Sequence, residues 1–311
     1  MCLLTIAAYA SSLTGWFVYE DSVIPDQPWI VRGMVRWSHE ATRWLAGDGP
    51  WPGRILNLAW HVLNGLLLWL VVRPVVTTAA ALFAVGLFVL HPLQTESVAY
   101  LASRPELIAA MWLLLACLAS SRGHLWWAGI CAALTLTGKE MGVMAWLLVP
   151  LWAWASGQTW PRAARWLWAV ATVVMLGLFT RAVLGYATND GAAFGQVMPW
   201  SFYGVQLAAL WRLLALLPEA LVHPSALTID HDWSWITAPI ALAALIGTAA
   251  LVERGWRSSR LTLFALLWTL VALAPRLIVP MPDGLHERHL YSAMPALSLA
   301  LGVALFPRGT T

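Results

Sequence analysis

Hydrophobic positions run through this chain in long blocks, not in the alternating or one-face patterns of a water-soluble protein. The blocks cover 1–18, 55–73, 75–91, 105–121, 123–138, 141–157, 163–184, 236–252, 261–280 and 290–307, and each is closed by Pro, Gly or a charged residue. Roughly 17–25 apolar residues in a helix cross a bilayer core. Lipid offers no partner to backbone N–H and C=O groups, so every spanning block is predicted to be helical. The pattern predicts an all-α polytopic membrane protein of about 10 (10–11) transmembrane helices, a single transmembrane domain over 1–311. Two longer connections, 19–54 and 185–235, are expected to hold short interfacial helices. The second contains 200–222, where Arg212 and Glu219 interrupt the apolar run and Pro218 ends it. That segment is read as a helix in the interface; as a span it would reverse everything after it.

Composition supports the bilayer. Hydrophobic residues make up 60% of the chain and charged residues 11%, against about 25% charged in a soluble domain. No soluble interior would bury so many apolar side chains. Of the 22 Trp, many fall at block ends: Trp16, Trp51, Trp126, Trp127, Trp160, Trp200, Trp235 and Trp256. Indole favours the membrane–water boundary, so these are expected to be anchors. Cys2, Cys117 and Cys131 lie in or beside apolar blocks and read as free thiols. The first block has neither the basic start nor the clean Ala-x-Ala site of a cleaved signal, so it is read as a retained helix. No basic block suggests nucleic acid as a partner.

Charge adds an orientation. With a cytoplasmic N-terminus, the cytoplasmic loops carry Arg73, Arg122, Arg162, Arg165, Arg254, Arg257, Arg260 and Arg308, as the positive-inside rule prefers. Every acidic residue except Glu253 then falls at the opposite face. Acidic groups held near a membrane in several separate loops point to a functional site. Arg104, Lys139, Arg276 and Arg288 accompany them near block ends.

Several short stretches at that face carry candidate chemistry. Glu20 and Asp21 follow the first block directly. A carboxylate at that depth can take a proton from an acceptor hydroxyl, or be a solvated helix end. Asn57, His61 and Asn64 are spaced four and three apart, on one helical face. Such a stripe faces the bundle interior, either at a site or as interhelical hydrogen bonding. His91-Pro92-Leu93-Gln94-Thr95-Glu96 is followed by Ser103-Arg104-Pro105-Glu106. Pro92 is expected to stop its helix, and a short helix would set Glu96 and Arg104 on one face. Lys139, the chain's lone lysine, is followed by Glu140 between two apolar blocks. A buried ion pair of Lys139 with Glu140 or Glu96 is one reading; a partner for an anion is the other. His286-Glu287-Arg288-His289-Leu290-Tyr291 opens the last block, where an arginine can grip phosphate in a forked geometry.

The order of these motifs resembles a known family. An acidic pair after the first helix, His-Pro-x-x-Thr-Glu-x-Val-Ala with a following Arg, Lys-Glu between helices, and Glu-Arg-x-Leu-Tyr before a late helix look like the membrane domain of the transmembrane-and-tetratricopeptide-repeat O-mannosyltransferases and their bacterial relatives. These are glycosyltransferases of the GT-C fold. The likeness runs from Tyr9-Ala10-Ser11-Ser12-Leu13-Thr14-Gly15 to Tyr291. Asn57 with His61 resembles the family's Asn and His on the second helix, and Pro218 through Asp230-His231-Asp232 its Pro-containing stretch before an Asp-Tyr pair. Departures are present. Glu20-Asp21 stands where the family usually has Asp-Asp, Arg36-Trp37-Ser38 matches its Arg-Pro-Leu only loosely, and no tetratricopeptide repeat is found in 1–311.

The resemblance implies a GT-C-like helical bundle that transfers a sugar, with inversion, from a polyprenyl-phosphate donor to a periplasmic acceptor. That acceptor would be a protein, a glycan or a lipid. Glu20 or Asp21 would be the general base. Arg288 and Lys139, with Arg104 second, would hold the donor phosphate. Asn57, His61, His91, Glu96, Glu140, Asp230, Asp232, Glu287 and Tyr291 complete the candidate site. No cofactor is required, since cationic side chains can stabilise the leaving phosphate; a divalent metal is the less favoured alternative. The expected location is a bacterial inner membrane, multi-pass, with the site on the periplasmic side and membrane lipids around it. A transporter or flippase of lipid-linked sugars and a catalytically inactive subunit of the same fold are the alternatives.

Overall fold

The computed structural model describes residues 1–14, 32–189, 200–223, 227, 238–257, 260–278 and 285–307. Among these the chain is all-helical and contains no strand. Over the described residues, each apolar block of the sequence contains a helix. The first is α1 (Cys2–Tyr9), extended by a 3-10 turn over Ala10–Thr14. α2 (Gly33–Ala46) is amphipathic, with Trp37, Trp44 and Leu45 exposed. It starts after Arg32, which is left-handed at φ 59°, and stops at Gly47, whose φ of 84° suits glycine.

The next elements frame the site. α3 (Pro50–Val72) opens with Pro50 and Pro52, where a missing N–H costs nothing. α4 (Thr78–Leu90) is capped by the Thr77 hydroxyl, which accepts the Ala80 N–H at 3.2 Å. It ends as expected at Pro92: the residue before a proline is pushed out of helical geometry, and His91 is extended. A 3-10 turn over Pro92–Gln94 leads into α5 (Thr95–Ala99), the pair being bent by 49° from α4. α6 (Arg104–Ser121) begins with Pro105 and Glu106 in its first turn. α7 (Leu125–Leu134) and α8 (Ala145–Ala155) form a hairpin joined by 3-10 turns at Thr135–Thr137 and Glu140–Met144.

That hairpin tip lies close on α6 because two positions lack a side chain. A Cβ on Gly138 would meet the Ala109 backbone nitrogen at 2.5 Å, and one on Gly142 the Thr135 carbonyl at 2.7 Å. The Thr135 hydroxyl closes the tip, lying 2.6 Å from the Ala132 carbonyl and 2.7 Å from that of Gly142. The close approach sets Lys139 over the first turn of α6.

The second half of the chain comprises α9 (Arg162–Asn189), α10 (Trp200–Val222), α11 (Ala238–Arg257), α12 (Arg260–Ile278) and α13 (Met294–Leu305). A 3-10 turn over Glu287–Ser292 precedes α13. α13 packs on α4, where a Cβ on Gly302 would meet the Ala80 carbonyl at 2.5 Å. α9 leaves Trp166, Leu167, Val170, Val173, Val174 and Leu178 exposed, an apolar surface suited to lipid. Trp51, Trp126 and Trp127 are exposed at helix ends, as anchors should be, whereas Trp160 packs on the Trp168 ring at 5.0 Å.

Among the described residues, four helices are long and apolar enough to cross a membrane: Pro50–Val72, Leu101–Ser121, Arg162–Arg181 and Gly204–Val222. A fifth crossing results if α4 and the bent piece after it count as one. Several crossings of this kind are consistent with a multi-pass membrane protein. The apolar helices Cys2–Thr14, Leu125–Thr137, Glu140–Ala155, Leu263–Leu277 and Met294–Leu305 are shorter. α10 meets the length criterion for a span, and its C-terminal part lies against the end of α4: the His91 ring nitrogen Nε2 is 2.7 Å from the Leu217 carbonyl.

Candidate functional site

Most of the described sequence candidates fall into two groups of polar side chains. The first lies deep, along α3. Asn57, His61 and Asn64 are fully buried, on one face as their spacing requires. Asn57 Oδ1 accepts from Arg104 Nε at 2.8 Å, and its amide donates to the Val98 and Tyr100 carbonyls at 3.3 Å. His61 lies between the Tyr291 hydroxyl, 2.8 Å from Nδ1, and the Val89 carbonyl, 3.1 Å from Nε2. Asn64 donates to the Leu107 carbonyl at 2.9 Å and to the Tyr291 hydroxyl at 3.1 Å. These contacts tie α3 to α4, α6 and the Glu287–Ser292 turn.

Arg104 belongs to this deep group. It is fully buried and donates from Nε to Asn57, from Nη1 to the Ser38 hydroxyl at 3.2 Å, and from Nη2 to the Gly53 carbonyl at 3.0 Å. Its acceptors are all neutral. Glu96 and Arg104 do not share a helical face as the spacing suggested. α5 ends at Ala99, Tyr100 is extended, and a 3-10 turn over Leu101–Ser103 redirects the chain.

The second group gathers at one end of the bundle. Arg288 donates to Glu96 twice, from Nη1 to Oε1 and from its backbone N–H to Oε2, each at 2.8 Å. Its guanidinium lies 5.6 Å from the centre of the Tyr100 ring, within cation–π range. Lys139 is buried and pairs with Glu106. The expected partners were Glu140 or Glu96. Glu106 takes the ammonium because the hairpin tip sits on the first turn of α6. Glu140 is instead gripped by Arg32 through two bonds, Nε to Oε2 at 2.9 Å and Nη2 to Oε1 at 2.7 Å. Burial pushes the Glu140 carboxyl up, but the Arg32 hydrogen bonds, the Arg32 charge and the Lys139 charge together outweigh it and hold it at about 2.

His289 lies at the centre of this end. Its Nδ1 accepts the His286 backbone N–H at 3.0 Å, so the ring proton resides on Nε2. Burial, then the positive charges of Arg276, Lys139, Arg288 and His286, hold the ring well below its ordinary value, and it is neutral. Glu287 is buried beside it and acts electrostatically on Glu96. A cavity of about 30 Å³ opens between Glu106, Lys139, Thr135 and Ser292, room for one or two waters.

No family model, no curated protein and no solved structure matches this chain. What the site can do must therefore be argued from its own chemistry.

Of the sequence candidates, the fold brings Lys139, Glu96, Glu287 and Arg288 into one network, with Glu140 at its edge. Asn57, His61, Arg104 and Tyr291 form the separate, deeper one, and His91 sits at the α4 end against α10. Glu20, Asp21, Asp230 and Asp232 lie outside the described residues. Glu106 and His289 are not among the candidate site residues of the sequence. Their signal was weak: Glu106 is an ordinary first-turn acid, and His289 fills the variable position of Glu-Arg-x-Leu-Tyr. Among the described residues no group of three or more His, Cys, Asp and Glu side chains is placed to hold a metal ion.

Proposed function

We propose that the chain is a membrane glycosyltransferase of the GT-C class, using a polyprenyl-phosphate sugar as donor. The finer fold reading belongs to this proposal: a GT-C-like bundle in which the shorter apolar helices also cross, about 10 in all, with α2 and α10 at the interface. So does the place, a bacterial inner membrane with the site on the periplasmic side. The supporting observation is the gathering of Lys139, Arg276 and Arg288 about His289 at one bundle end, from the α7–α8 tip, the last turn of α12 and the turn before α13. A membrane enzyme that expels a lipid phosphate needs positive charge where the leaving oxygen develops its own.

In this reading the acceptor, a periplasmic protein, glycan or lipid, gives its hydroxyl proton to Glu20 or Asp21. Its oxygen attacks the anomeric carbon from the face opposite the phosphate, and the configuration inverts. Lys139 and Arg288 stabilise the departing phosphate. Arg104, with its donors engaged by neutral acceptors, suits holding α2, α3 and α6 together better than gripping a ligand. Metal is not needed for these steps.

The reading is tested with lipid-linked sugar donors and Glu20→Gln and Asp21→Asn prepared separately. The variant lacking the base is expected to lose transfer by about 10²–10⁴-fold. Full activity in both would end the general-base assignment. One observation favours a purely structural role for the same charges: Lys139 and Arg288 each already hold a carboxylate. Arg288→Ala separates the two. The enzyme reading expects donor affinity to fall about tenfold or more while the protein stays folded; the structural reading expects unchanged affinity.

A further inference from the structure

We infer that the Nε2–H of His289 is a phosphate-oxygen donor, the neutral member of an anion subsite that it forms with Lys139 and Arg276. The choice of phosphate rests on the lipid-phosphate reading above; the anion subsite rests on a buried, unpaired ring N–H and on the basic groups that act on it. His289 is 3% exposed, and its Nε2 has no hydrogen-bond partner. Buried polar atoms are nearly always paired, so an unpaired one calls for a cause.

The surroundings supply that cause. The opposite ring nitrogen is committed to the His286 N–H, which fixes the tautomer and leaves Nε2 as a donor only. The groups that act most on the ring are basic, Arg276, Lys139, Arg288 and His286, although Glu106 pairs with Lys139 and Glu96 with Arg288. Lys139 offers three N–H groups and spends one on Glu106. A donor that stays uncharged among cations adds no repulsion when the site is empty. An incoming oxyanion would satisfy Nε2–H, take further bonds from Lys139, and relieve the crowding of like charge. A tetrahedral phosphate, with acceptors pointing in several directions, fits donors that arrive from α12, the α7–α8 tip and the Glu287–Ser292 turn. The family resemblance says nothing of His289, which fills the variable position of its motif.

The experiment uses the full chain in detergent, titrated with farnesyl phosphate and with inorganic phosphate. His289→Gln keeps an N–H near the ε position and is expected to bind within about threefold of the parent. His289→Asn keeps an acceptor near the δ position but lacks the donor, and is expected to bind about tenfold more weakly. Equal affinity in parent and Asn variant would overturn the assignment. A measurement without any variant covers the case in which the Asn protein does not fold. The Nε2–H resonance of the parent, followed with 15N-labelled histidine, should move on adding farnesyl phosphate; no movement overturns the proposal. Acetate binding as tightly as inorganic phosphate would overturn the choice of phosphate. Phosphate binding through His289 without sugar transfer would sink the glycosyltransferase reading and leave this one standing. Transfer with an unaltered KM in His289→Asn would sink this one alone.

Discussion

The deep stripe on α3 and the charged end of the bundle are built from similar residue types, yet they differ in how their polar atoms are answered. In the stripe, Asn57, His61, Asn64, Arg104 and Tyr291 answer one another and neighbouring carbonyls at 2.8 to 3.3 Å. That is how polar groups join helices where water is absent. At the charged end, cations face carboxylates, cations crowd one neutral imidazole, and a buried N–H is left over. In the first arrangement the buried atom left over is an acceptor, the Asn64 Oδ1. In the second it is a donor set among cations, the His289 Nε2–H. Polar residues inside a bundle are therefore sorted better by what remains unpaired than by residue type.

The contrast can be broken most forcefully at Lys139. Lys139→Ala leaves Glu106 buried and unpaired, which should cost about 3–5 kcal/mol of stability and appear as lost folded protein in detergent. The double variant Lys139→Met with Glu106→Leu should regain the fold and still bind farnesyl phosphate at least tenfold more weakly than the parent. Recovery of both fold and binding would reduce the charged end to a scaffold. A smaller effect is expected in the stripe. Tyr291→Phe removes the hydroxyl shared by His61 and Asn64 and should cost about 1–3 kcal/mol. It should lower thermal stability more than donor affinity; the reverse order would place the stripe in the site.

The smallest effect concerns pH. Glu140 has a folded-state value of about 2, below its ordinary 4.5. Its pairing with Arg32 therefore contributes fully above about 4.5 and is lost as the pH falls through about 2. Glu140→Gln should flatten the stability profile in that window, measured by thermal unfolding. An unchanged acid profile would show that the Arg32 grip contributes nothing there.

Much of the fold was legible because it depends on local rules. Blocks of apolar residues became helices, Pro92 ended α4, and the spacing of Asn57, His61 and Asn64 set them on one buried face. The pairings were less legible. Lys139 was expected to meet Glu140 or Glu96 and meets Glu106, because Gly138 and Gly142 let the hairpin tip settle on α6. Glu96 was set beside Arg104 by spacing, yet the extended Tyr100 and the turn after it part them, and Glu96 pairs with Arg288, 192 residues away. Spacing predicts neighbours only while a helix continues.

What the sequence by itself determined, then, is the solvent and the secondary structure. A chain of this hydrophobicity belongs in lipid, and lipid permits its backbone little besides helix. It also determined that charge would collect at block ends, since charge inside a block is too costly. Only the tertiary structure decided which charges meet and which donor is left unanswered. Ion pairs between distant connections depend on how closely helices approach and where turns redirect the chain. The unpaired Nε2–H of His289 follows from that geometry: one backbone N–H fixes its tautomer, and residues from three elements surround it with positive charge.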